Sequence, residues 1–102
     1  MAKLIVLYKQ PQDEAAFMRH YFDVHAPLAK RIPGLRSYEV SEGGVAAPGG
    51  ASGVFLVAML EFDSMAALQE GMGSSQGQAA VNDLPNFAGA GVDILMCDTR
   101  KL

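Results

Sequence analysis

Tryptophan is absent from the 102 residues, cysteine occurs once and histidine twice. The lone Cys97 cannot close a disulfide within the chain. Together with His20 and His25 it makes too small and too scattered a set for a structural zinc site. Basic residues are also few. There are eight, with no run longer than Lys30-Arg31, and the formal net charge is −3. That is not the electrostatic footprint of a nucleic-acid-binding protein, and none is expected as a partner. There is no phosphate-binding glycine loop ahead of a helix, no nucleophile elbow and no cluster of metal ligands. The sequence therefore offers no support for a nucleotide, flavin or metal cofactor. No apolar stretch reaches membrane-spanning length. The run Leu4–Tyr8 is shorter than a signal-peptide core, and no small-residue cleavage site follows it. A cytoplasmic location with no membrane contact is expected, and an unpaired cysteine fits a reducing compartment.

Half of the residues are hydrophobic and 19% are charged, an ordinary globular mix with no shift along the chain. Residues 1–102 therefore read as a single domain. Lys3–Lys9 is rich in β-branched and apolar residues and predicts a strand, closed by Pro11. Asp13 and Glu14 mark a helix start. Phe17, Tyr21, Val24, Leu28 and Ile32 follow at helical spacing as one apolar stripe. Pro27 lacks an N–H and crowds the carbonyl of Asp23, so a kink or restart is expected near His25. Pro33-Gly34 ends the helix. Leu35–Glu42 predicts a second strand, with Tyr38 and Val40 on one face. Gly43–Gly53 is too glycine-rich for regular structure and long for a hairpin loop, so a mobile segment is expected. Val54–Phe62 predicts a third strand. Asp63 or Ser64 can cap a second helix carrying Met65, Leu68 and Met72, broken by Gly71 and Gly73. Ser75 with Gln78 has capping-box spacing ahead of a further helical stretch. Val92–Asp98 predicts the last strand.

The order β, α, β, β, α, β predicts an α+β fold of ferredoxin-like βαββαβ order: a four-stranded antiparallel sheet with its helices on one face. A strand covered on one face only should alternate apolar and polar residues. Val54–Leu60 is apolar throughout, and Ile5 and Leu7 are apolar opposite Leu4, Val6 and Tyr8. Something must cover the second face. A second copy of the same sheet is the simplest cover, which predicts a homodimer closed as a dimeric α+β barrel.

His25 is the first candidate for chemistry. It lies at the edge of the helical stripe, beside the disturbance at Pro27, and histidine suits proton transfer near neutral pH. The structural alternative is a buried histidine bonded to a carbonyl freed by Pro27. Tyr38 can face the helices from the second strand and donate its hydroxyl to a ligand oxygen, or simply be a core tyrosine. Glu61, a carboxylate in an otherwise apolar strand, is either a base with a raised pKa or a strand-end charge reaching water. Phe17, Tyr21, Met59 and Phe87 join Glu61 as candidates to contact a small apolar ligand. The methionines, including Met59, Met65 and Met72, read as core fillers rather than metal ligands. His20, off the stripe, reads as exposed.

The segments Tyr21-Phe-Asp-Val-His-Ala-Pro-Leu-Ala29 and Ile32-Pro-Gly-Leu-Arg-Ser-Tyr-Glu-Val40 resemble the central motif of the EthD family. That motif is a histidine, one residue, Pro-Leu, then an Ile-Pro-Gly-Leu turn into a strand bearing a tyrosine. The first and last strands fit too, so the resemblance spans most of the chain. It implies a dimeric ferredoxin-like barrel with a pocket between sheet and helices in each protomer. Relatives include cofactor-independent lactone isomerases and proteins of polyketide and aromatic metabolism. His25 and Tyr38 match the histidine and tyrosine that lie in the pocket of the isomerase-like members. Cys97, in the last strand, has no counterpart there, and the lack of tryptophan speaks against the haem-degrading branch of the fold. The expected function is a small-molecule pocket protein. One form is a cofactor-free isomerase or lyase with His25 as acid/base and Tyr38 as hydrogen-bond donor. The other is a non-catalytic binding or accessory protein of a degradative oxygenase pathway.

Overall fold

The structure, a computed structural model, describes residues 1–102. Strand β1 (Ala2–Lys9) leads into helix α1 (Glu14–His20), a π-helical turn (Tyr21–His25) and helix α2 (Ala26–Ala29), which form one continuous helical arm. Strand β2 (Ser37–Val40), a small hairpin of β3 (Ala46–Ala47) and β4 (Gly50–Ala51), and strand β5 (Val54–Phe62) follow. Helices α3 (Met65–Gly73) and α4 (Ser75–Asp83), a 3-10 turn (Leu84–Asn86) and strand β6 (Val92–Asp98) complete the chain. The main sheet is four-stranded and antiparallel in the order β2-β5-β1-β6. The expected ferredoxin-like α+β architecture is thus present. The third and last strands have the predicted limits, while β2 is shorter than expected.

Each start signal works through a named side chain. Asp13 accepts from the Ala16 N–H at 3.0 Å, Ser64 from Ala67 at 3.0 Å and Ser74 from Gly77 at 3.0 Å. The cap of α3 is therefore Ser64, and Asp63 instead pairs with Arg36 at the surface. The cap of α4 is Ser74, one residue before the predicted Ser75, whose hydroxyl turns to Gln76.

The helical arm departs from the expected stripe, for a reason that matters to the site. Its buried face is Phe17, Tyr21, His25, Ala26, Ala29 and Ile32; Val24 is 42% exposed and Leu28 only half-buried. Phe17, Tyr21, His25 and Ala29 are spaced by four. At about 100° per residue, three such steps overshoot a regular α-helical face by about 120°. The π turn holds one extra residue, marked by the Ala26 N–H bonding back to the Tyr21 carbonyl, and takes up most of that angle. Pro27 is the local cause, because it cannot donate to Asp23 as a regular helix requires. The turn moves His25 from the edge of the stripe to its centre.

The core lies between the arm, α3, α4 and one sheet face, where Leu4, Val6, Tyr8, Leu56, Leu60 and Phe62 are buried. Gly71 allows α3 to approach the end of the arm: a Cβ there would sit 2.5 Å from the Pro33 carbonyl oxygen. The segment Gly43–Gly53, expected to lack regular structure, folds instead into the β3–β4 hairpin. The Ser52 hydroxyl holds it by donating to the Val45 carbonyl at 2.7 Å. No helix is long and apolar enough to cross a membrane.

Candidate functional site

Alternation along β1 points Leu4, Val6 and Tyr8 toward the helices. On β2 it points Tyr38 the same way, since Tyr38 is in register with the buried Leu60. The π turn brings Tyr21 and His25 down onto these tyrosines. The space between is a small, partly open cavity of about 40 Å³, whose walls include Leu60, Ile32, Met72, Leu84 and Ile94. His25 is the one lining residue that is not hydrophobic, and no lysine, arginine or carboxylate lines the space.

His25 is held from behind. Its Nδ1 lies 3.0 Å from Oδ2 of Asp83, at the end of α4, and both side chains are buried. A carboxylate can only accept, so Nδ1 carries the proton and donates. In the neutral ring Nε2 is then the lone-pair nitrogen. Its only hydrogen-bond partner in the protein is the Tyr8 hydroxyl at 3.5 Å, the long limit of such a bond. Asp83 also accepts from Asn86 Nδ2 at 2.9 Å and from His20 Nε2, which lies 2.9 and 3.0 Å from its two oxygens.

Burial holds the His25 imidazole below its ordinary value and outweighs the opposing pull of Asp83, so the ring is neutral near pH 7. Burial pushes the Asp83 carboxyl up, but the hydrogen bonds from Asn86, His20 and His25 win and hold it below the usual range. Tyr8, Tyr21 and Tyr38 are all raised, chiefly by burial, and remain protonated phenols. The Tyr21 and Tyr38 hydroxyls are 2.6 Å apart. Either hydroxyl can be the donor of that bond. One proton is used between them, which leaves one O–H of the pair to donate elsewhere.

A family model, the EthD domain, matches residues 9–91. The chain belongs to the EthD family. Within that span lie His20, Tyr21, His25, Tyr38 and Asp83, and Tyr8 stands immediately before it. The EthD chain is 33% identical over 102 residues to an uncharacterised 11.0 kDa protein encoded in the thcB–thcC intergenic region of Rhodococcus erythropolis, covering all of this chain and 98% of that protein. It is 39% identical to an EthD family protein from Bacillus halodurans, with a TM-score of 0.90 over 98% of this chain and 99% of that one. A dimeric ferredoxin-like protein of unknown function from Thermobifida fusca shares the fold at 15% identity, with a TM-score of 0.69 over 96% and 90% of the two chains.

Among the residues expected at an EthD pocket, the fold brings His25, Tyr38 and Tyr21 together. Phe17 and Phe87 form a second layer behind them: Phe87 lies 4.7 Å from the His25 ring and Phe17 packs edge-on to Tyr8. Met59 and Glu61 do not reach the cavity. They stand on the opposite sheet face, in register with Ile5 and Lys3, and Glu61 faces Lys3 at 3.9 Å. The partner of His25 is Asp83, not a backbone carbonyl near Pro27. Sequence reasoning missed Tyr8, Asp83 and the pairing of His20. A signal for Asp83 existed. Gly77, Ala80 and Asp83 recur at helical spacing as the buried face of α4, and an acid on an apolar face must have a partner.

Proposed function

We propose that this EthD protein is an enzyme that moves a proton on a small, neutral, mainly apolar molecule bearing a carbonyl, lactone or phenol oxygen, in an isomerase- or lyase-type reaction carried by its own side chains. The observation that carries the reading is the Asp83–His25 pair aimed into an apolar cavity beside the Tyr21–Tyr38 hydroxyl pair. The Nε2 lone pair takes a proton from an acidic C–H or O–H of the bound molecule. Asp83 stabilises the imidazolium that forms, and the Tyr38 O–H donates to the oxygen on which negative charge develops. The proton then returns to another atom of the substrate, giving an isomer, or to a departing group, giving elimination. A carboxylate or phosphate on the substrate would be buried without a counter-charge, which favours uncharged molecules. Tyr21 fixes Tyr38, and Tyr8 flanks Nε2.

Deuterium exchange tests this without knowledge of the natural substrate. Small neutral ketones, lactones and phenols are incubated in D₂O and followed by proton NMR. Enzyme-dependent exchange at the acidic position, lost in His25→Ala, is the expected result. Binding of these probes with no exchange for any of them would remove the catalytic reading and leave a non-catalytic binding protein.

Assembly belongs to the same proposal. We infer a two-fold homodimer through the open sheet face, where Ile5, Leu7, Val57, Met59 and Leu95 lie together. Support comes from Met59 and Leu95, which are 37% and 53% exposed, and from the Thermobifida fusca protein of the same fold, described as dimeric. The exposed free thiol of Cys97 supports a cytoplasmic location.

A further inference from the structure

Asp83 serves two histidines, and only one of them faces the cavity. His25 Nδ1 occupies Oδ2 from the inner side at 3.0 Å, while His20 Nε2 straddles both oxygens from the outer side at 2.9 and 3.0 Å. The outer ring is partly open to solvent, with 26% of its side chain exposed, against 8% for His25 and 6% for Asp83. It lines a separate surface groove with Gln10, Asp13 and Asn86 and stacks on Phe87 at 5.1 Å, so that Phe87 lies against both imidazoles. A proton from solvent can thus reach His20 without entering the cavity.

We propose that His20 is a positioning residue that acts on His25 through Asp83: it holds the shared carboxylate in place, and a proton on His20 competes with a proton on His25 for the one negative charge between them. The three groups together carry one negative charge when both rings are neutral. One added proton neutralises the cluster. A second leaves a net positive charge in a largely buried site, which is costly because no other carboxylate is bonded to it. The remaining titratable groups that face the cluster are Tyr8 from β1, Tyr21 from the π turn and Tyr38 from β2, all neutral phenols, with Asp13 lining the outer groove. None can replace Asp83. A charge on His20 also lowers the affinity of His25 for protons, in the direction the shared-carboxylate geometry requires. If His25 is the base in the cavity, as proposed above, it is held at full strength by Asp83 only while the outer histidine is neutral.

The test uses the ligand-free protein, so it does not depend on any substrate. Nitrogen-15 NMR of the imidazoles reports the tautomer and the titration of each histidine. In the wild type, His25 should carry its proton on Nδ1 and its resonances should show an inflection at the midpoint of His20. His20→Gln keeps an N–H donor but cannot take a proton. It should keep the His25 tautomer, abolish that inflection and raise the His25 midpoint. His20→Ala removes donor and charge together. It should raise the midpoint and also spread His25 between tautomers, because Asp83 is no longer held from outside. A His25 titration and tautomer unchanged in both variants would overturn the proposal. A structural role alone would lower the melting temperature without moving the inflection. Should the exchange assay show no turnover while the inflection responds as described, the coupling stands and only the catalytic reading of His25 fails.

Discussion

The two faces of one sheet are built to different standards. On the face toward the helices, Leu4, Val6, Tyr8, Leu56, Ala58, Leu60 and Phe62 are buried, and every buried side-chain polar atom has a partner. On the other face, Ile5, Leu7 and Val57 are only half-covered and Met59 and Leu95 are exposed, alongside Lys3 and Glu61. The same strands supply both. The difference teaches that apolar composition alone does not distinguish the two faces, since both are apolar. What separates them is the polar content: a closed set of hydrogen-bonded tyrosines, histidines and one carboxylate on the first face, and loose surface charges on the second.

The strongest way to break the comparison is to remove chemistry from the covered face. His25→Ala or Asp83→Asn should lower proton exchange on a responsive probe by about 10²–10⁴-fold, the usual worth of a positioned acid or base, while the dimer persists in light scattering. Loss of the dimer in step with activity would show that the site and the open face are not independent. Next in size is packing. Phe62→Ala should cost about 3–5 kcal/mol in denaturant unfolding, because Phe62 has no exposure at all. Met59→Lys, on the open face, should leave the monomer's fold nearly intact and instead halve the mass seen by light scattering. A wild-type chain that is monomeric at micromolar concentration would remove the dimer reading outright.

Acid should sharpen the contrast, because the perturbed groups with a depressed affinity for protons lie on the covered side. His25 binds protons less well in the folded chain than at its ordinary value of 6.5. Between its folded value and 6.5 the unfolded chain therefore holds more protons, and stability falls as pH drops through that window. Asp83, also held low, adds a second loss of the same sign below its ordinary value of 3.8. His25→Gln should remove the first phase from a pH series of melting curves and leave the second. The smallest effect belongs to the open face: breaking the Lys3–Glu61 pair, 3.9 Å apart and half in water, should change monomer stability by no more than about 1 kcal/mol.

Strand and helix order, the caps at Asp13 and Ser64, and the apolar second face of the sheet were legible in the residues because they depend on short-range periodicity and on side chains that bond their own neighbours. The EthD resemblance also pointed to His25 and Tyr38, since both sit inside a contiguous motif. Asp83 was not legible. It lies 58 residues from His25, and nothing local distinguishes an acid at the end of a short helix from a solvated one until the fold packs α4 against the arm. Tyr8 was visible as an inward strand residue, but its place beside Nε2 depends on where the arm crosses the sheet. Pro27 announced a disturbed helix. Only the tertiary packing decided that the disturbance would be a π turn, because the angle to be absorbed is set by the sheet that Phe17, Tyr21, His25 and Ala29 must all meet. Local sequence thus determined which segments are strands and helices and which of their faces are apolar. The approach of segments far apart in the chain decided which polar groups share a charge, because a buried carboxylate takes its state from the donors brought to it.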